Sequence, residues 1–532
     1  MWLRQLLLAL ILALRAGGVA IPVATRLGRR AVAGAAAVES ALLGRGNLRA
    51  ASALYVPATN ELAPTACAVI SGAVPTDLPP GALLRVGPNP DPAEHAARRG
   101  QGAFLDGDGM IHVIALHGDA CAPTYARRWV DTAGRRAERQ VVDARRRVNA
   151  EGSSELRFFD GTLCYAPRGW GLLASMARNM LAFGRATKDT ANTALALHGG
   201  KLLALMEQLR RKVALVRRID YRPALLQGLP SELALTRSGD LRTVGAATSL
   251  DGAIPDEAMI GGALAAHGRT CVRTGERVSV SYGSSGKPFG RLDIFKAGSW
   301  KLRESRPLGA LDAPVMIHDS EITQKYVLVL DFPLTVRPIR LLADNFPVQF
   351  ESSTRARIGV LPRGKGAEGD SGAWVEVEAC VVLHSVSATE LDDGTIRLIA
   401  LRAVPADGGS FISNYCPSFL HEWTLELAPS GKSGRCVSER CLNAQVAVEF
   451  PTLNPRCIGS TTPAAYAYAL PFDGFVKLQL LDDAARDVAA GEMVGRYTLP
   501  SGEMAVSEPT FVPSSGRGGR AADQLDEDEG CD

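Results

Sequence analysis

The chain has 532 residues, 46% of them hydrophobic, enough for one large domain or two to three ordinary ones. Lysine and arginine number 59 against 56 aspartates and glutamates, and a net charge of +3 argues against a nucleic-acid footprint. Ten cysteines are scattered without CxxC pairs, too dilute for a disulfide scaffold and without zinc spacing, so reduced and mostly buried thiols are expected.

Residues 1–38 contain no acidic residue, are rich in alanine and carry Arg4, Arg15, Arg26, Arg29 and Arg30. Their apolar run QLLLALILAL is too short to span a bilayer. Residues 1–40 therefore read as a targeting leader, either an Arg-rich, acid-poor transit peptide or a secretory signal. Residues 41–532 are left as the folded part.

From Leu62 onward the sequence breaks into short β segments separated by Gly, Pro, Asn and Asp. GALLRVGPNPDP (81–92), GMIHVIAL (109–116), ERVSVSYGSSG (276–286), KYVLVLDFPL (325–334), GAWVEVEACVVLHS (372–385) and TIRLIALRA (395–403) are examples. Strands of this length with turn signals between them predict an all-β protein, and their number favours a propeller over a single sandwich. No exact repeat is visible, which argues against a WD40-like array. Two stretches read as helices: 169–186, apolar and almost uncharged, and 207–219, with Leu209, Val213 and Val216 opposite a basic face. Both are expected to pack over the β core or to rest on a membrane surface.

Three of the eight histidines share one context, a strand end beside small or acidic residues: His267 in ALAAHG, His318 in VMIHDSEIT and His384 in VVLHSVSATE. They are 51 and 66 residues apart, about one propeller blade with a loop insertion. Equivalent inner-strand positions of successive blades point at one axis, so these imidazoles are expected to converge. Neutral imidazoles suit iron, copper or zinc.

The stretches LPPGALLRVGPNP, FLDGDGMIHVIAL, DTANTALALHGGKLLALME, ALAAHG, MIHDSEITQKYVLVLDFPL, WVEVEACVVLHSVSATE, VEFPTLNPRC and SEPTFVP occur in one order along nearly the whole chain. In that arrangement the chain resembles the carotenoid cleavage dioxygenases. The resemblance implies a seven-bladed β-propeller with a helical cap over an axial Fe(II) held by four histidines. His267, His318 and His384 match the first three ligands. Glu207, Glu449 and Glu508 match the carboxylates that orient the ligating imidazoles, and no catalytic residue is implied beyond the metal site. His112 also matches the family pattern, as a structural position. The implied reaction is O₂-dependent cleavage of a conjugated C=C bond in a carotenoid or apocarotenoid, giving two carbonyl products. The implied setting is a plastid membrane surface, with the secretory route as the alternative that the leader alone allows.

The chain departs from this pattern in three places. No histidine follows His421, so a fourth ligand is absent from this sequence, Glu508 lacks the partner it would orient, and a C-terminal truncation is expected. Ser387 stands where relatives usually have Asn. A basic insertion, 208–228, stands where relatives have a short turn. Two alternatives that no feature of the sequence selects are a retinoid isomerohydrolase and a stilbene-type cleavage enzyme; a third, supported by the missing histidine alone, is a degenerate propeller that binds isoprenoids without turnover.

Overall fold

The computed structural model describes residues 57–512 apart from 71, 76–77, 93–106, 118–121, 149–169, 184–187, 207–229, 248–264, 284–286, 338, 341–346, 365, 368–369, 408–415, 472, 501–502, 504 and 506. The leader 1–40, the helix expected at 207–219 and the insertion 208–228 lie outside the described residues.

The strands form six four-stranded antiparallel sheets. The first contains β1 (Leu62–Ala66), β2 (Gly81–Pro88), β3 (Gly109–Leu116) and β4 (Thr124–Trp129), in the order β1-β4-β3-β2. The second is a simple meander of β5 (Ala194–His198), β6 (Lys201–Leu205), β7 (Ser231–Leu235) and β8 (Leu241–Ala246). The third repeats it with β9 (Arg269–Thr270), β10 (Arg277–Tyr282), β11 (Gly290–Phe295) and β12 (Leu302–Pro307). The fourth comprises β13 (Ser320–Ile322), β14 (Tyr326–Asp331), β17 (Arg357–Pro362) and β18 (Ala373–Glu376). A separate hairpin, β15 (Leu334–Val336) with β16 (Val348–Phe350), interrupts it between β14 and β17. The fifth holds β19 (Val381–Glu390), β20 (Ile396–Ala403), β21 (Phe419–Leu427) and β22 (Gly434–Asn443). The sixth holds β23 (Glu449–Thr452), β24 (Tyr466–Leu470), β25 (Gly474–Gln479) and β26 (Met493–Thr498).

Successive sheets touch through their inner strands: β2 on β5, β9 and β10 on β13, β13 on β19, and β19 on β23. Between the second and third sheets, His198 Nε2 lies 3.0 Å from the carbonyls of Lys296 and Ser299. Between the sixth sheet's trailing segment and the first, Arg85 on β2 donates to the Glu508 carbonyl and, at 2.8 Å, to Thr510 Oγ1. The result is a propeller-like ring of six sheets among the described residues, where seven blades were expected. Counting strand segments does not say how they group; two of the strands form the β15–β16 hairpin instead of contributing to a blade.

The core is a set of wedges between neighbouring blades. Along β14 the side chains alternate between two of them: Val327 and Val329 enter the cluster shared with the third blade, and Leu328 and Leu330 enter the one shared with the fifth. Along β20, Leu398 and Ala400 join that second cluster, whereas Ile399 and Leu401 face the sixth blade. A strand covered on both faces needs no polar alternation, so these segments read as continuous apolar runs. Each fully buried Val or Leu contributes roughly 1.5–3 kcal/mol.

The stretch 372–385, which reads as one β segment, is two strands of different blades. Residues 377–380 carry the chain from the outer strand β18 to the inner strand β19; Cys380 is buried and Val377 and Ala379 pack partly buried against the same cluster, whereas Glu378 is exposed. Helix α1 (Ala133–Val148) was not anticipated, whereas α2 (Trp170–Phe183) falls inside the expected 169–186. Among the described residues no helix is long and apolar enough to cross a membrane. Of the seven described cysteines only Cys271 and Cys380 are buried, which corrects the expectation of mostly buried thiols. Strands such as β22 present one face to solvent, and Cys441 lies on that outer strand.

Candidate metal centre

His267 lies two residues before β9, His318 two residues before β13, and His384 inside β19. These are the inner strands of three consecutive blades, so histidines far apart in sequence meet at one place. Their ring centroids are 4.8, 4.9 and 5.2 Å apart, and one nitrogen from each lies within 4.8 Å of the others. Among the described residues this is the one group of three or more His, Cys, Asp or Glu side chains arranged to hold a metal ion.

Local irregularities aim two of the groups. The β19–β20 register slips on both sides of Ser385, next to His384. The β23–β24 register slips just after Glu449, where Phe450 takes a φ of +53°. Bulges of this kind re-aim side chains beside functional sites, and a bulky residue in the left-handed region needs its surroundings to hold it there. The Phe450 ring packs 5.2 Å from that of His384.

Glu449 Oε2 lies 2.7 Å from His384 Nδ1, both side chains being 9% exposed. The other carboxylate oxygen accepts the Ser418 hydroxyl at 2.6 Å, and the Phe450 N–H reaches Oε2 at 3.3 Å. Burial alone would raise the Glu449 pKa; the His384 hydrogen bond and charge, with Ser418 and Phe450 N–H, hold it below the ordinary carboxylate value. An ionised carboxylate only accepts, so His384 carries its proton on Nδ1 and keeps the Nε2 lone pair for a ligand.

His267 is pushed well below the ordinary imidazole value, first by burial and then by the charges of His318, His384, Arg269 and Arg277. Three imidazoles this close cannot all be charged, and the neutral form is the one that ligates a metal. The donor set therefore fits a divalent transition metal: three convergent imidazoles, one of them oriented by a buried carboxylate.

The other expected residues are placed as follows. Glu207 lies outside the described residues. Glu508 is half-buried, takes the Ser507 hydroxyl at 3.3 Å and sits beside Arg85 on β2. His112 is in β3 with Nδ1 2.6 Å from the Tyr125 hydroxyl, outside the histidine cluster as anticipated.

Sequence reasoning missed the polar residues that flank the ligand positions. Arg269, Asp319, Glu321 and Ser385 form one network, and Ser418 braces Glu449. The available signal was a polar residue one or two positions after each histidine: Arg269, Asp319 and Ser385. Behind them, Arg277 is 8% exposed, and burial followed by the charge of Arg269 lowers its pKa to about 10.

Similar sequences include the Arabidopsis thaliana protein named probable carotenoid cleavage dioxygenase 4, chloroplastic, 27% identical over 427 residues. That match covers 78% of this chain but 62% of the relative, so the chain spans less than two thirds of its length. The Phaseolus vulgaris carotenoid 9,10(9',10')-cleavage dioxygenase 1 is also 27% identical, over 85% of this chain and 76% of the relative. Among solved structures, a variant of Synechocystis apocarotenoid oxygenase superposes with a TM-score of 0.59 at 22% identity, covering 90% of this chain and 87% of that one. The cobalt-substituted form of the Synechocystis protein gives 0.56 at 20% identity, over 90% and 89% of the two chains. At such identity the structures bear on the fold alone, which they share with the ring described above. Residues 55–531 match the family model described as retinal pigment epithelial membrane protein, and the chain therefore belongs to this family of carotenoid-cleaving oxygenases.

Proposed function

We propose that this chain is a non-haem iron dioxygenase that cleaves a conjugated C=C bond of a carotenoid or apocarotenoid. One O₂ is consumed per bond cut and each of its oxygen atoms ends in one of two carbonyl products. The observation that carries the reading is the convergence of His267, His318 and His384 at the inner ends of three consecutive blades. Those three side chains are the proposed ligands. An iron(II) ion held there supplies the redox chemistry with O₂ that cleavage requires.

The chain's own residues do the remaining work. Glu449 keeps the His384 proton on Nδ1 and the ring in a fixed orientation. Glu207 and Glu508 complete the proposed set of orienting carboxylates, on the strength of the motif match. The Phe450 ring against His384 gives the centre an apolar wall, suited to a polyene and to excluding water. Such substrates partition into membranes, and α2 exposes Met180 and Leu181, which supports peripheral contact with a lipid surface. The acid-poor leader and relatives named as chloroplastic support a plastid location.

The test is oxygen uptake by the Fe(II)-loaded chain with an apocarotenoid, with the carbonyl products identified by mass. His318→Ala is expected to abolish both uptake and products; full activity in that variant would remove the histidine assignment. Product formation without oxygen uptake would instead point to isomerohydrolysis.

A further inference from the structure

Each histidine of the centre is followed, one to three residues later, by a member of a single network that crosses three blades, in which the half-buried Arg269 meets buried partners. Arg269 donates from Nε to Glu321 Oε1 at 2.8 Å and from Nη2 to Asp319 Oδ2 at 2.8 Å. Its Nη2 also reaches the Ser385 hydroxyl at 3.1 Å. Asp319 Oδ2 accepts the Ser385 backbone N–H at 2.9 Å and lies 3.0 Å from the Ser385 hydroxyl. That hydroxyl has one proton, so it donates to Asp319 or, at 3.1 Å, to Glu321 while accepting from Arg269. Asp319 and Glu321 are each 2% exposed and Ser385 is 3% exposed. A parallel backbone bridge joins His267 itself to Asp319.

We propose that Arg269, together with Asp319, Glu321 and Ser385, is a positioning clamp that fixes the mutual placement of His267, His318 and His384 and thereby sets how tightly this chain holds a divalent metal ion. The inference rests on the metal reading above and goes beyond it. The wedges between blades are apolar and therefore non-directional. Ligand nitrogens, by contrast, have to be held within about 0.5 Å of a working geometry. The clamp is the directional element at the right place, since its members neighbour the ligands in sequence and join all three inner strands.

The sign of the effect separates positioning from plain electrostatics. Through space, the Arg269 cation repels a divalent metal, so removing its charge alone strengthens binding. Loss of the clamp weakens binding instead. A purely structural role lowers the melting temperature and leaves the metal affinity unchanged.

The experiment uses the full chain, prepared metal-free, with Co(II) as a spectroscopic probe. Affinity is read by competition with a chromophoric chelator, geometry by the visible Co(II) spectrum, and folding by thermal melts of the metal-free forms. Arg269→Lys, which keeps the charge but not the forked contact, is expected to bind Co(II) about 10–100-fold more weakly with an altered spectrum. Arg269→Gln should weaken binding too, and Ser385→Ala should do so to a smaller degree. Unchanged affinity and spectrum in Arg269→Lys and Ser385→Ala, or tighter binding by Arg269→Gln, would overturn the clamp. If the Arg269 variants do not fold, Ser385→Ala decides the question alone, because it removes one hydroxyl and no charge. Absence of Co(II) binding by the wild-type chain, or undiminished binding by His318→Ala, overturns the metal reading and the clamp with it.

Discussion

Glu449 and His384 are joined by a 2.7 Å contact from inner strand to inner strand, between the first residue of β23 and the middle of β19. The carboxylate is anchored from its other side by Ser418, so it is a fixed acceptor and not a mobile one. Its orientation dictates which His384 nitrogen faces the centre.

Glu449→Gln should therefore lower the metal affinity about 10–100-fold, the usual cost of removing a carboxylate behind a ligating imidazole. The neutral amide no longer stabilises an imidazole that shares charge with a metal, and its NH₂ can turn toward Nδ1 and favour the wrong tautomer. Chelator competition with Co(II) checks this. An affinity equal to wild type would mean that His384 is oriented by its packing against Phe450 alone.

His421 offers a pH prediction independent of the metal. It is 7% exposed in β21, with Nε2 3.4 Å from Glu439 Oε1 and its ring 4.8 Å from that of Trp423. Burial first, and then the charge of Arg402, lowers its pKa to about 4, against the opposing pull of Glu422. An unfolded histidine titrates near 6.5, so below that pH the unfolded chain binds a proton that the folded chain refuses. Stability from this group is full above about pH 6.5 and is lost as pH falls toward about 4, at no more than ~1.4 kcal/mol per pH unit. Melting temperatures of wild type and His421→Gln, taken between pH 7 and 4.5, should converge as the pH drops. Parallel profiles would exclude the linkage.

Much of this architecture was visible in the residues. The strand GMIHVIAL coincides with β3, and the apolar run at 326–331 is β14 because both its faces meet other blades. The three histidines share a context at or near the start of the inner strands of the third, fourth and fifth blades, and the structure brings them together. Grouping was not legible: strand order in a propeller depends on which edges meet, and the β15–β16 hairpin looks locally like any other pair. Nor was the clamp, because Arg269 and Asp319 are 50 residues apart and nothing local distinguishes a buried pair from two surface charges. Helix α1 hid for a related reason. Its sequence AGRRAERQVVDARRRV looks solvent-exposed, yet Arg135 and Glu138 on its first turns are buried against charged partners.

Those partners supply the last prediction. Asp108, fully buried just before β3, accepts from Arg135 Nη1 at 3.1 Å and from Lys188 Nζ at 2.9 Å. Lys188 in turn lies 2.5 Å from Glu138 Oε2, and the Arg135 guanidinium stacks 4.3 Å over Trp129. Two cations and two carboxylates are thus balanced in a dry place, joining α1 to the entry of β3 and to the segment before β5. Removing one charge leaves the others uncompensated, which in a buried pair costs about 3–5 kcal/mol. Asp108→Asn should lower the free energy of urea unfolding by that order while leaving Co(II) affinity unchanged, because the group is not part of the histidine cluster. Adding Lys188→Met restores the charge balance, so the double variant should recover part of the loss. A coupling of zero between the two substitutions would show that Asp108 acts through packing and not through charge.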